Sequence, residues 1–193
     1  SLLAQLGEGD RRFNVYGGGH LAAPSLTSIT GSPNAIFESV GQHSTIDLSN
    51  LQNADGGRFI VRDGGAIDLS GVQSAVHAYF RAGEDSQISL PGITHWAIGP
   101  VRANDGRRGA EAWGGLVDLT SVTSISFGGF GGGSNTVQLQ AVYAGGVIDL
   151  SNLTRIDRTD TGTMLIRTFQ DGQVLLPSLA TVTNFYGEVR ADG

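Results

Sequence analysis

The stretch Ile67-Asp68-Leu69-Ser70-Gly71-Val72-Gln73-Ser74-Ala75 recurs along the chain. Aligned on its central leucine, the copies centre on Ala23, Leu48, Leu69, Leu90, Leu119, Leu150 and Leu176, separated by 25, 21, 21, 29, 31 and 26 residues. Two positions before the anchor stand Leu21, Ile46, Ile67, Ile88, Val117, Ile148 and Val174. Three after it stand Leu26, Leu51, Val72, Ile93, Val122, Leu153 and Leu179. Six after it stand Ile29, Ala54, Ala75, Trp96, Ile125, Ile156 and Val182. All three columns are apolar throughout, and an internal repeat of this length dictates the architecture.

Each column has a physical meaning. Apolar residues two apart with one residue between them make a short strand buried on one face. Val and Ile dominate its first position, as strands prefer. Directly after the anchor come Pro24, Ser49, Ser70, Pro91, Thr120, Ser151 and Pro177. Proline has no N–H, so the chain leaves the ladder there. Serine and threonine suit such a corner through their hydroxyls. The apolar spacing then lengthens from two to three, which marks a bend into a second extended piece. Four before the anchor, Gly19, Ser44, Gly65, Ser86, Gly115, Gly146 and Gly172 mark a tight corner.

A unit near 21 residues is too short for a βαβ crossover, which needs roughly 30 or more. It suits one turn of a single-stranded parallel β-helix, an all-β solenoid whose coils stack about 4.8 Å apart. About seven full coils of 21–31 residues, with partial coils at both ends, predict a rod roughly 30–35 Å long. A leucine-rich repeat is the rival, and Leu90-Pro91-Gly92-Ile93 resembles one. The Asn/Cys column of that repeat is missing, however, and no segment has helical periodicity. A second strand precedes the Gly/Ser corner. Phe13-Asn14-Val15, Phe59-Ile60-Val61 and Phe80-Arg81-Ala82 share one register, with Leu139–Val142 and Leu165–Arg167 as shifted variants.

Of the 193 residues 30 are Gly and 16% are charged. That length is ample for one domain, 1–193, and short for two. There is no Cys, so disulfides and thiol chemistry are excluded. The net charge of −6 argues against nucleic acid as a partner. No apolar run is long enough for membrane insertion. All twelve basic residues are Arg, so no lysine nucleophile exists. Ser1, Leu3 and Leu6 enter the repeat part-way through a coil, and Asp192-Gly193 matches the corner before a strand. This phase predicts a piece of a longer array, joined to other domains of the same chain.

Two connections are enlarged. One runs from Trp96 to Trp113 and carries Arg102, Asn104, Asp105, Arg107, Arg108 and Glu111; the other runs from Ser126 to Tyr143 and includes Phe127 and Phe130. Such insertions gather on one side of a repeat protein, often the binding side. Trp96, Trp113, Phe130 and Tyr143, with Arg107, Arg108, Asp105 and Glu111, are the candidate ligand-binding set. They suggest an aromatic platform for sugar rings bordered by hydrogen-bonding groups. For Trp96 the competing expectation is burial in the core, and Phe127 is equally a core residue. Tyr79 alternates with inward Phe80 and is expected to be exposed.

Asp47, Asp68, Asp118 and Asp149 share the column before the anchor. Carboxylates stacked one coil apart repel unless paired. They are weak candidates for calcium ligands; the alternative is pairing with Arg62, Arg81 or Arg167, or with Ser and Thr of the next coil. No metal-ligand spacing joins the four His, and no catalytic residue is assigned. A glycosidase needs two carboxylates about 5–10 Å apart. Asp105 with Glu111, beside Asp118 of the next strand, is the one loop pair to nominate.

The copies Ile46-Asp47-Leu48-Ser49-Asn50-Leu51 and Ile148-Asp149-Leu150-Ser151-Asn152-Leu153, with the corner Asp63-Gly64-Gly65, resemble β-helical segments of large secreted bacterial proteins. They are also similar to the non-catalytic carbohydrate-binding modules that are parallel β-helices. The resemblance implies an extracellular or cell-surface location and non-catalytic binding of a polysaccharide, with plant cell-wall glycan as one candidate. It carries over no binding residue. A structural or adhesin spacer and a polysaccharide-degrading β-helix enzyme are the alternatives.

Overall fold

A computed structural model describes residues 5–6, 11–30, 35–98, 109–128, 136–159 and 161–192. Among them there is no helix, and the named strands pair parallel, coil upon coil. The chain winds around three faces. The long face is Arg11–Tyr16, Ala35–Val40, Arg58–Arg62, Tyr79–Ala82, Gly109–Trp113, Thr136–Val142, Thr163–Phe169 and Gly187–Asp192, paired in that order. The short face is His20–Ala22, Thr45–Asp47, Ala66–Asp68, Gln87–Ser89, Leu116–Asp118, Val147–Asp149 and Gln173–Leu175. From the first strand of the long face to its last the chain completes seven turns.

The third face is split. Gln5–Leu6, Ser28–Ile29 and Asn53–Ala54 form one sheet; His95–Ile98, Ser124–Phe127, Arg155–Arg158 and Thr181–Thr183 form the other. Between them lies the coil of Ser74, which contributes one bridge to Asn53. The β-solenoid expected from the repeat is the fold.

The aligned columns are the interior. Leu48, Leu69, Leu90, Leu119 and Leu150 are at most 1% exposed. The columns three and six residues later join them in one continuous core, except in the last coil, where Val182 is exposed. The lengthened spacing after each anchor is a β-turn. In all seven coils the N–H three residues on donates to the anchor carbonyl, as in Leu51 to Leu48 (2.8 Å) and Val122 to Leu119 (2.9 Å). Pro24, Pro91 and Pro177 therefore occupy the second turn position, where a fixed φ near −65° is favourable.

The aspartate column closes the same turn. Asp47, Asp68, Asp118 and Asp149 each accept the N–H two residues on, from Ser49, Ser70, Thr120 and Ser151, at 2.9–3.1 Å. The three coils with Pro at that position have no N–H to cap, and carry Ala22, Ser89 and Leu175 instead of Asp. Pairing with Arg62, Arg81 or Arg167 does not occur. Those arginines stand on the long face, around a corner: Arg62 pairs with Glu38, and Arg167 with Glu188. One bond crosses coils as expected, from the Ser89 hydroxyl to Asp118 (2.9 Å).

The opposite corner explains the Gly/Ser column. A Cβ on Gly115 would stand 2.0 Å from the Gly83 carbonyl oxygen of the neighbouring coil, too close for any side chain. Where the corner admits serine, the hydroxyl ties coils together. Ser44 Oγ accepts from the Gly18 N–H (3.0 Å) and donates to the Val40 carbonyl (2.8 Å).

Inside the long face Phe13, Phe37, Phe59 and Phe80 stack ring on ring, with centroids 4.9, 5.6 and 5.6 Å apart and planes within 15° of parallel. The next position is Ala110, followed by Leu139 and Ile166. Leu139 thus continues the phenylalanine column unshifted, and Leu165 lies on the outward register with Gln138. Trp96 packs beside Phe80 at 5.8 Å, where the column narrows to Ala110.

Two expectations follow. Phe59→Ala removes a fully buried ring from the middle of the stack and lowers unfolding free energy by about 3–5 kcal/mol; Phe13→Ala, at its half-buried end, costs less, as urea denaturation will register. Asp118→Ala costs about 1–2 kcal/mol. At Asp118 burial opposes the charged form, but the Thr120 N–H, the Thr120 hydroxyl and Ser89 outweigh it and hold the carboxyl below its usual value. At Asp47 the bonds from Ser49, with His20 nearby, do the same against burial. A lowered folded pKa gives stability that is present above the unfolded value, about 4, and lost as pH falls through the folded one. Acid titration of the melting temperature therefore shows a decline below about pH 4 that is smaller in Asp118→Ala.

Candidate functional site

Strand alternation sends every second long-face residue outward. The central outward row is Asn14, Glu38, Ile60, Arg81, Glu111, Gln140, Arg167 and Arg190. The row beside it, next to the Gly/Ser corner, includes Tyr16, Val40, Arg62, Trp113, Val142, Phe169 and Asp192. One cluster in these rows combines aromatic and charged groups. Trp113 Nε1 donates to Glu111 Oε2 at 3.1 Å. The Arg81 guanidinium lies over the indole, 4.3 Å from the ring centroid. From the next coil Tyr143 meets the same ring edge-on, centroids 6.1 Å apart and planes at 73°.

Local backbone sets these positions. Arg81, Glu111 and Gln140 are directly paired on adjacent strands. Tyr143 turns the corner after its strand with φ of 68°, and this backbone twist accompanies a ring that is exposed. Glu111 points outward yet is only 5% exposed, so its carboxylate needs the hydrogen bond it makes. Tyr79 also points outward and is nevertheless buried, with Arg58 over its ring at 5.4 Å, so the expected exposure is corrected. Alternation fixes which way a side chain faces, but not what covers it.

The arrangement brings together Trp113, Tyr143 and Glu111 from the expected set. Trp96 is not part of it. Its indole is 1% exposed, stacked in the interior, with Nε1 donating to the Ala75 carbonyl at 3.1 Å. Phe127 is likewise core. Asp105, Arg107, Arg108 and Phe130 lie outside the described residues. The two enlarged segments leave from paired Ile98 and Phe127, and Gly109 and Gln138 are paired where the chain re-enters the long face. Their bases are therefore neighbours. Arg81 was hidden as a member of the cluster because Ala110 and Ala112, which flank Glu111, obscure the register that Phe80 and Ala82 reveal.

The other chemistry-bearing groups are engaged elsewhere. Among the described residues no group of three or more His, Asp or Glu is placed to hold a metal ion. Asp118 stands on the short face, where its carboxylate caps a corner rather than joining Glu111. On the third face His95 lies between two hydroxyls, Nδ1 to Ser124 (2.8 Å) and Nε2 to Ser126 (3.1 Å). A serine nucleophile needs a carboxylate on the second ring nitrogen; there His95 has Ser124, while Asp157 binds Arg155 and Thr183. Arg155 lowers the Asp157 pKa most, and Thr183 adds to it.

No protein-family model, curated protein or solved structure matches the chain.

Proposed function

We propose that this β-solenoid is a non-catalytic polysaccharide-binding module of an extracellular or cell-surface protein, and that it binds along the outer side of the long face. The cluster of Trp113, Tyr143, Arg81 and Glu111 carries the reading. Sugars are recognised by aromatic rings against their C–H faces and by planar donors and acceptors at their hydroxyls. Tyr143 offers an exposed ring. Trp113 extends it to the coil before, and Phe169 stands one coil further on. One ring on each of three successive coils suits a linear ligand that itself repeats. The hydrogen bond from Trp113 to Glu111 holds the indole in place before any ligand arrives, which reduces the entropy lost on binding.

A second reading is a structural spacer or adhesin stalk. One observation favours it: the Trp113 N–H and the Glu111 carboxylate satisfy one another, as they would on a surface with no ligand. Binding separates the two. Affinity electrophoresis and calorimetry against plant cell-wall polysaccharides are expected to find at least one ligand. Trp113→Ala is expected to weaken it by tenfold or more, about 1.4 kcal/mol; Glu111 loses its donor, so the melting temperature falls, but the protein still melts cooperatively because the ring lies outside the core. Absence of binding to every polysaccharide tested would leave the spacer.

A further inference from the structure

The glycan-binding reading can be taken one step further, to the class of glycan. We propose that the polysaccharide is anionic, bearing uronate carboxylates or sulfate esters, and that Arg81 is the residue that binds its charged groups. The inference rests on that reading and on how charge is divided among the faces.

The chain as a whole is acidic, with 12 basic and 18 acidic residues. The described part of the long face has the opposite balance. Arg12, Arg58, Arg62, Arg81, Arg167 and Arg190 occupy its outward positions, against Glu38, Glu111, Glu188 and Asp192. The outward positions of the short face hold Asp47, Asp68, Asp118 and Asp149 and no arginine. A polyanion is thus repelled from one side of the rod and admitted on another.

Within the long face the acids are already engaged. Glu38 pairs with Arg62, Glu188 with Arg167 at 3.0 Å and Asp192 with Arg190 at 2.6 Å. Glu111 is buried and bonded to the indole N–H. Among the described residues Arg81 makes no ion pair; its partner is the Trp113 ring. Its Nε–H has no hydrogen-bond acceptor, so the guanidinium keeps donors to offer at the centre of the aromatic cluster. Guanidinium is weakly hydrated, stacks well on an indole and presents a planar fork of donors that matches a carboxylate or sulfate. Partial burial against the ring keeps its field less screened than that of a fully solvated arginine. A sugar placed against Tyr143 and Trp113 would bring an acidic substituent within reach of that fork.

The test uses matched pairs of polymers with the intact protein: polygalacturonate against its fully methyl-esterified form, and dextran sulfate against dextran, by calorimetry at low and raised NaCl. The charged member of at least one pair is expected to bind tenfold or more tightly than its neutral partner, with the gap closing as salt rises. Which pair shows the gap tells carboxylate from sulfate. Arg81→Gln is expected to remove roughly ten- to a hundredfold of the affinity for the charged polymer and to weaken neutral binding at least several-fold less; Arg81→Lys retains part of the preference for charge. Thermal melts of both variants confirm folding. Equal binding of charged and neutral members, or an equal loss on both in Arg81→Gln, overturns the anionic assignment while glycan binding stands. Failure of all four polymers and of the wider polysaccharide panel overturns both.

Discussion

Strand N–H and C=O groups reach the coils on either side, in parallel and in register, so that like positions are forced to lie upon like. For apolar side chains this stacking is favourable, and Phe13, Phe37, Phe59 and Phe80 form a continuous ring column because of it. For charged side chains it is costly, since equal charges recur at one coil's spacing. The molecule meets that cost differently on its two outer surfaces. On the short face each aspartate turns into its own corner and accepts a backbone N–H. On the long face opposite charges from neighbouring coils pair, as in Arg62 with Glu38 and Arg167 with Glu188.

How far the sequence could be followed depends on which physical rule a residue obeys. The columns at Leu48, Leu69 and Leu90 were legible because burial leaves a periodic apolar mark. The role of Asp68 is written in the sequence as a correlation between columns and not as a periodicity. Aspartate occurs only in coils whose residue after the anchor has an N–H, a correlation that points to a cap and not to an arginine partner. Leu139 was placed a step out of register because Ala110, the link between it and Phe80, carries no bulk to announce its column. Tyr79 and Glu111 show a deeper limit. Their outward direction follows from alternation, but their burial depends on what lies over the sheet, and no local pattern encodes that.

The candidate site inherits its strengths from the same stacking. Arg81, Trp113 and Tyr143 come from three successive coils, so one mutation in the register of any of them would misalign the set. The indole is held on one side by a cation, on another by a phenol edge, and at its N–H by a carboxylate. This is a rigid arrangement built on strands rather than on loops. Such rigidity serves recognition, because little order has to be created when a ligand arrives. It equally serves a durable surface.

The corner after each anchor exists in two spellings: aspartate followed two residues later by serine or threonine, or a residue other than aspartate followed by proline. The spellings do not mix within a coil. Exchanging serine for proline alone strands a carboxylate without its donor, and exchanging aspartate for alanine alone leaves an N–H uncapped. Each intermediate is less stable than either parent, so the two sites are tied together in any evolutionary drift between spellings. A coil can be duplicated or transplanted whole, carrying its grammar with it, far more readily than it can be edited letter by letter.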